Sequence, residues 1–407
     1  MPGNEPRLTI AAASILHADG SLAPGRLTLR GTRIDAVSRA GDRDDADVVL
    51  AEGILAPGFV DLQFNGADGV DLGQADADGW RRVLSRVTST GVTSLLATFV
   101  SAVPARLREA ADVARQVMTT QQDDEAAVLG VHAEGPFLAP GWRGAHDPGI
   151  VRAATASGLA EFVEYADGLV RMVTLAPERD GAAACIRALA RREVVVSAGH
   201  TGATAAELAA AADLGVRAVT HLYNAQTGLH HRELGVVGQT LLDDRLTATV
   251  IADPDHLAPG ALRLAFAAKP GRIALVTDSV AAAGLPPGRH QMPDGEVVVT
   301  AGAPPRRPDG RLAGSALRMD QAVRNAVQAG IALPAALRAA STVPADLVGH
   351  RELGRLEPGC VADMVWLDSS LRVREVWRSG RRIHPPTTAP PPCAGPHSSA
   401  IPQLEGQ

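Results

Sequence analysis

Val216-Arg217-Ala218-Val219-Thr220-His221-Leu222-Tyr223-Asn224-Ala225 is a short apolar stretch that runs into polar residues. Its first half has the Val-rich character of a strand buried on both faces. Its second half places a histidine where that strand would end. The design recurs along the chain. Residues 58–63, 92–99, 127–133, 169–175, 194–198, 216–221, 248–252 and 273–277 all read as buried strands. Helical patterns lie between several of them. Residues 104–118, for example, begin with Pro104 and carry Leu107, Ala110, Ala111, Ala114 and Val117 on one face. Eight strand–helix units over about 290 residues predict an α/β protein built on a closed (β/α)8 TIM barrel. A doubly wound open sheet is the alternative, but the Gly-rich dinucleotide turn it would need after its first strand is missing.

The flanks read differently. Residues 8–16 and 27–37 are strand-like, with a turn at Gly31. Near the other end, Ala362-Asp363-Met364-Val365-Trp366-Leu367 and Val373-Arg374-Glu375-Val376-Trp377 repeat the pattern, with Arg378-Ser379-Gly380-Arg381 as the turn. Neither set can bury a core alone. They are expected to pair into one small β-sandwich domain made of residues 1–57 and 350–384, around a barrel at 58–349. Residues 385–407 open with Pro385-Pro386-Thr387-Thr388-Ala389-Pro390-Pro391-Pro392 and are expected to be a disordered tail.

Composition narrows the chemistry. Of 39 basic residues in 407, one is lysine, Lys269, in the sequence Ala267-Ala268-Lys269-Pro270-Gly271. Schiff-base and P-loop chemistry would both have to use it. Three widely spaced cysteines, Cys185, Cys360 and Cys393, make neither a CxxC zinc site nor a disulfide framework, and suit a reducing compartment. A net charge of −6 and 3 % aromatic residues argue against nucleic-acid binding. No basic-then-apolar leader opens the sequence, and no apolar run approaches the roughly 20 residues of a membrane span. The expectation is a cytoplasmic enzyme.

The chemistry lies at the strand ends. They read Gln63-Phe64-Asn65-Gly66, His132-Ala133-Glu134-Gly135-Pro136-Phe137, Gly199-His200-Thr201, Thr220-His221-Leu222-Tyr223-Asn224-Ala225, Ala252-Asp253-Pro254-Asp255-His256 and Thr277-Asp278-Ser279. A lone histidine there is more often structural, and a lone aspartate is often a helix N-cap. A barrel, however, converges its strand C-termini on one mouth. Glu134, His200, His221 and Asp278 would then meet. Two imidazoles and a carboxylate suit a divalent first-row ion, and a further carboxylate beside it can act as a base.

These motifs, with Ala56-Pro57-Gly58-Phe59-Val60-Asp61, Gly144-Ala145-His146, His231-Arg232-Glu233, Gly314-Ser315 and Pro358-Gly359-Cys360-Val361-Ala362-Asp363, resemble the amidohydrolase superfamily. Within it they resemble the N-acetylglucosamine-6-phosphate deacetylase family, from Ala56 to about Asp363. The resemblance implies hydrolysis of N-acetyl-D-glucosamine 6-phosphate to D-glucosamine 6-phosphate and acetate, in amino-sugar catabolism. It implies that Glu134, His200 and His221 bind one divalent metal, with zinc the first choice and iron, cobalt or manganese compatible. Asp278 would be the proton shuttle, and His146 would contact the acetyl carbonyl. Substrate contacts would fall to Ala145, His146, Asn224, Ala225, Arg232, His256 and the closing loop Leu312, Ala313, Gly314, Ser315. The phosphate region of this family can include groups of a second subunit, which implies a homodimer.

Two departures qualify the match. Many relatives carry a His-x-His pair on the first strand that supports a second metal. Here those vestigial positions are Gln63 and Asn65, and neutral amides are poor ligands, so one metal per chain is expected. Pro254 and Asp255 also depart from the usual seventh-strand motif, stiffening the approach to His256. The rival readings are an N-acetylgalactosamine-6-phosphate deacetylase, another amidohydrolase, and a catalytically silent sugar-phosphate binder. Lys269 lies between strands seven and eight, so it cannot be the strand-four bridging lysine of binuclear amidohydrolases.

Overall fold

The computed structural model describes residues 7–39, 45–155, 158, 168–292 and 295–383. The expected tail at 385–407 lies outside them. Eight parallel strands form the central sheet, in chain order Phe59–Phe64, Val92–Val100, Ala127–Glu134, Val170–Leu175, Val195–Ala198, Val216–Val219, Thr247–Ile251 and Ile273–Val276. Each pairs with the next in sequence. The first and eighth meet through a bridge between Phe64 and Ser279, and the Asp278 amide donates to the Gln63 carbonyl at 2.8 Å. These contacts bring the sheet round into a barrel. Helices Ala77–Val87, Pro104–Thr119, Ala182–Ala190, Ala205–Leu214, Gly235–Leu242 and Pro259–Ala268 follow strands one, two, four, five, six and seven. Helix Pro104–Thr119 buries Leu107, Ala110, Ala111, Ala114 and Val117, the face its sequence specifies.

After the eighth strand the chain forms an antiparallel hairpin, Gly288–Met292 with Gly295–Val299, before helix Met319–Gln328. Val297 of the hairpin joins Ala282 and Ala313 in a small separate core. The sequence reading had no elements here. Helices Leu333–Ala340 and Thr342–Leu347 pack outside the first and eighth barrel strands.

The two termini share one sheet. Arg7–Leu16, Leu22–Arg30 and Arg33–Arg39 form a meander, and Val48–Leu50 runs parallel to the first of these. Ile54–Pro57 pairs antiparallel with Met364–Leu367, which continues through Val373–Arg378 to Arg381–Ile383. Strand alternation divides Met364–Leu367 between two cores. Met364 packs with Ile10, Leu27 and Trp377 in the small domain, whereas Val365 and Leu367 pack into the barrel's core.

Candidate active site

The barrel mouth collects polar side chains from five strands. Glu134 ends the third strand, and period-two alternation puts His132 on its face one layer below. Histidine 132 is fully buried, and burial pushes its pKa down to about 4, so the ring is neutral. Its Nδ1 faces the Leu62 carbonyl at 3.0 Å, which fixes the proton there, and its Nε2 accepts from Thr174 Oγ1 at 2.7 Å. Thr220 and Ser197 extend this hydroxyl chain, with steps of 2.7 and 2.6 Å. The floor of the site is thus polar yet internally satisfied.

Above that floor, Glu134 Oε1 lies 3.1 Å from His200 Nε2 and 3.2 Å from His221 Nε2, and the two Nε2 atoms are 3.1 Å apart. All three residues are buried. His200 Nδ1 donates to the Trp142 carbonyl at 2.9 Å, which leaves its Nε2 lone pair turned toward the carboxylate. Two imidazole nitrogens and a carboxylate oxygen converging in a buried space form the donor set of a divalent transition ion, and the residues fit one. The backbone is bent to achieve this. His200, His221 and Asp278 all have left-handed φ, at 49°, 33° and 49°, a costly state that persists where the surroundings enforce it. Thr249 Oγ1 of the seventh strand holds the His221 amide at 2.8 Å.

Asp278 leaves the eighth strand beside this cluster. Burial, with the charge of Glu134, pushes its pKa up to about 7, while His221, His256 and Asn65 work the other way. The Asn65 amide nitrogen donates to Asp278 Oδ1 at 2.9 Å, and Gln63 Nε2 reaches both Asp278 Oδ1 and Glu134 Oε1 at 3.2 Å. His146 meets His200 edge to face, ring centroids 4.7 Å apart, and its Nδ1 lies 3.1 Å from Ser101 Oγ. Burial, reinforced by His200, lowers the His146 pKa to about 3, so this ring too is neutral. Its loop passes so close that a β-carbon on Gly144, just before Ala145, would stand 3.2 Å from His200 Cε1.

The remaining sequence candidates lie around this centre. Ser315 donates from its amide to the Asp278 carbonyl at 2.9 Å and from its hydroxyl to the Thr277 carbonyl. Gly314 has φ 67°, and a β-carbon there would collide with Val280 at 2.2 Å. Ala313 is buried and Leu312 bridges to Arg306. Arg311 of the same loop donates to the Gly144 carbonyl at 3.2 Å, tying it to the loop that bears His146. His256 Nδ1 pairs with Asp253 at 2.7 Å. Burial opposes a charge on His256, but the Asp253 bond and charge outweigh it and raise its pKa. The departure at Asp255 has a structural partner, an ion pair to Arg306 at 3.1 Å. Ala225 has φ 51°, and Asn224 Nδ2 donates to the His221 carbonyl at 3.3 Å. Arg232 is exposed, and its guanidinium bonds to no side chain among the described residues. It is not drawn into the cluster within one chain.

Sequence reasoning passed over Ser101, Trp142 and Glu178. Glu178 follows the fourth strand in Ala176-Pro177-Glu178, a strand-end carboxylate like the others. Trp142 acts through its backbone carbonyl, which no side-chain motif reveals.

Residues 54–383 match the model of the Amidohydrolase family. An N-acetylglucosamine-6-phosphate deacetylase of Danio rerio is 39 % identical over 81 % of this chain and 84 % of its own length. An N-acetylgalactosamine-6-phosphate deacetylase of Escherichia coli O157:H7 is 38 % identical over 81 % of this chain and 87 % of its own. The crystal structure of N-acetyl-D-glucosamine-6-phosphate deacetylase from Mycobacterium smegmatis superposes with a TM-score of 0.86 at 34 % identity, covering 93 % of this chain and 100 % of that one. The chain belongs to the amidohydrolase family, alongside the N-acetylglucosamine-6-phosphate and N-acetylgalactosamine-6-phosphate deacetylases.

Proposed function

We propose that this enzyme hydrolyses the acetamide of N-acetyl-D-glucosamine 6-phosphate, giving D-glucosamine 6-phosphate and acetate, with one divalent metal ion per subunit. The observation that carries the reading is the meeting of Glu134, His200 and His221 beside the Asp278 carboxylate, which Gln63 Nε2 links to Glu134. An ion held by the first three, zinc before iron, cobalt or manganese, would polarise the acetyl carbonyl and lower the pKa of a bound water to about 7. Asp278 takes a proton as the water adds to the carbonyl carbon, and returns it to nitrogen as the C–N bond breaks. A carboxylate beside the water can do both: burial and the Glu134 charge raise its proton affinity, and a bound cation would draw it back down. His146 steadies the developing oxyanion. That role needs the proton on Nε2, which requires the Ser101 hydroxyl to turn from the Glu134 carbonyl, 3.2 Å away, and donate to Nδ1 at 3.1 Å.

His256, held toward its cationic form by Asp253, suits the sugar hydroxyls or phosphate. Arg232 with the turn amides of Asn224 and Ala225 suits the phosphate. The exposure of Arg232 supports a phosphate site completed at a homodimer interface. We assign residues 1–57 and 350–384 to the small domain and 58–349 to the barrel. No described helix is long and apolar enough to cross a membrane. With the free cysteines at Cys185 and Cys360, this supports a cytoplasmic location.

Metal analysis with acetate release tests the reading. Metal-loaded enzyme is expected to hold one ion per chain and to deacetylate the gluco substrate faster than its galacto epimer. Asp278→Asn is expected to lose about 10³-fold in kcat with its metal retained. A metal-loaded wild type that releases no acetate sinks the proposal. Arg232→Ala should raise KM for the phosphorylated sugar at least tenfold and leave the unphosphorylated sugar unaffected. Equal losses on both substrates would remove Arg232 from the phosphate site.

A further inference from the structure

Gln63 and Asn65 stand two residues apart on the first strand's exit, 1 % and 6 % exposed. Ionised carboxylates only accept hydrogen bonds, so each amide must turn its nitrogen toward Glu134 and Asp278. Gln63 Nε2 donates one hydrogen to Glu134 Oε1 and the other to Asp278 Oδ1, each at 3.2 Å. Asn65 Nδ2 donates to the same Asp278 Oδ1 at 2.9 Å. Both bonds to Asp278 fall on one oxygen. Its Oδ2 accepts none from any described residue. The backbones are locked in the same register, with the Asp278 amide on the Gln63 carbonyl and the Asn65 amide on the Ser279 carbonyl, both at 2.8 Å.

We propose that Gln63 and Asn65 are positioning residues that fix the carboxylate plane of Asp278 and present Oδ2 as the proton-accepting atom. An aspartate's terminal torsion is broad and two-fold, so packing alone would leave the two oxygens nearly interchangeable. Two donors on one oxygen break that symmetry: any turn short of a full flip forfeits both bonds, and a flip only exchanges equivalent oxygens, so one is always held and the other always free. Gln63 also joins the ligand Glu134 and the base Asp278 in one frame. Being neutral, the amides hold two carboxylates close without the charge of a second cation. The inference rests on Asp278 being the base, as proposed above.

The test uses Asn65→Leu and Gln63→Met, which approximate the native shapes but carry no donor. The readouts are acetate release from N-acetylglucosamine 6-phosphate, metal content, D-glucosamine 6-phosphate binding and melting temperature. Each variant is expected to lose about 10- to 100-fold in kcat with KM within about threefold. Metal content and product binding should match the wild type. If Asn65→Leu does not fold, Gln63→Met carries the same expectation. A kcat within twofold of wild type, or a fall in kcat matched by loss of metal, overturns the positioning role alone. A metal-loaded wild type without turnover overturns the deacetylase reading and the positioning role with it.

Discussion

Glu178 has both carboxylate oxygens engaged, one by Thr201 Oγ1 at 2.5 Å and the other by the Gly202 amide at 2.7 Å. Its donors are the two residues after His200, so the clamp holds the loop whose left-handed backbone aims that imidazole. Glu178→Gln replaces one accepting oxygen with a donor and removes the charge that strengthens both bonds. Metal affinity, measured by chelator competition, should fall about tenfold. An unchanged affinity would make the clamp irrelevant to the site. Asp61 illustrates a different cost. It is fully buried, and burial pushes its pKa up to about 6, against the bonds it accepts from Thr277 and the Gln63 amide. Between about pH 4 and 6 the folded chain keeps a proton that the unfolded chain has released. Stability therefore falls as pH rises through that window and levels off above it, by about 3 kcal/mol in all. Asp61→Asn has no such titration, so its stability relative to wild type should improve by roughly that amount between pH 4 and 7. Parallel stability–pH curves from urea unfolding would contradict this. The sole lysine belongs at this scale too. Lys269 is 1 % exposed and spends its ammonium on the Asp243 carbonyl at 2.6 Å. It ties the end of one outer helix to another and takes no part at the mouth.

Helix Ala205–Leu214 begins four residues after the Glu178 clamp's first donor. Thr204 and Glu207 cap it reciprocally, side chain to backbone in both directions. Thr204→Ala should cost about 1 kcal/mol, read from the urea midpoint. A neutral substitution would mean the neighbouring loop, not the cap, sets where the helix starts. At this scale the sequence was legible wherever burial imposes a period. The ends of the eight barrel strands lie within two residues of the stretches read from their Val-rich runs, and helix Pro104–Thr119 buries the face its spacing specifies. The strand ends were legible for the same reason: a polar group following a buried strand is conspicuous. Short elements were not. Val48–Leu50 and Ile54–Pro57 span three and four residues, too few to show a period, and gain their strand character from partners far along the chain. The hairpin at 288–299 is half-exposed on most positions and presents no clean alternation. Contacts such as Trp142 to His200 depend on where two loops meet, which local pattern does not encode.

At the scale of the whole molecule, the small domain and the barrel share strands rather than a hinge. In Val373–Arg378, Val376 packs into the barrel's core and its neighbour Trp377 into the small domain's. The Gly58 amide donates to the Asp363 carbonyl at 2.9 Å where the two units meet. Trp377→Ala should therefore lower global stability by about 3–5 kcal/mol in one transition, while metal content and kcat per folded molecule stay unchanged. A separate early transition in calorimetry would show the two units to be independent after all. The shared sheet also has a consequence for synthesis. Ile54–Pro57 leaves the ribosome about 300 residues before its partner Met364–Leu367. At 5–20 residues per second that is roughly 15–60 s during which an apolar strand edge waits without its mate. Such an edge is a template for pairing with other chains. The nascent protein's need for protection, by a chaperone or by its own meander folding over the gap, is greatest in that interval and ends only when the last strands arrive.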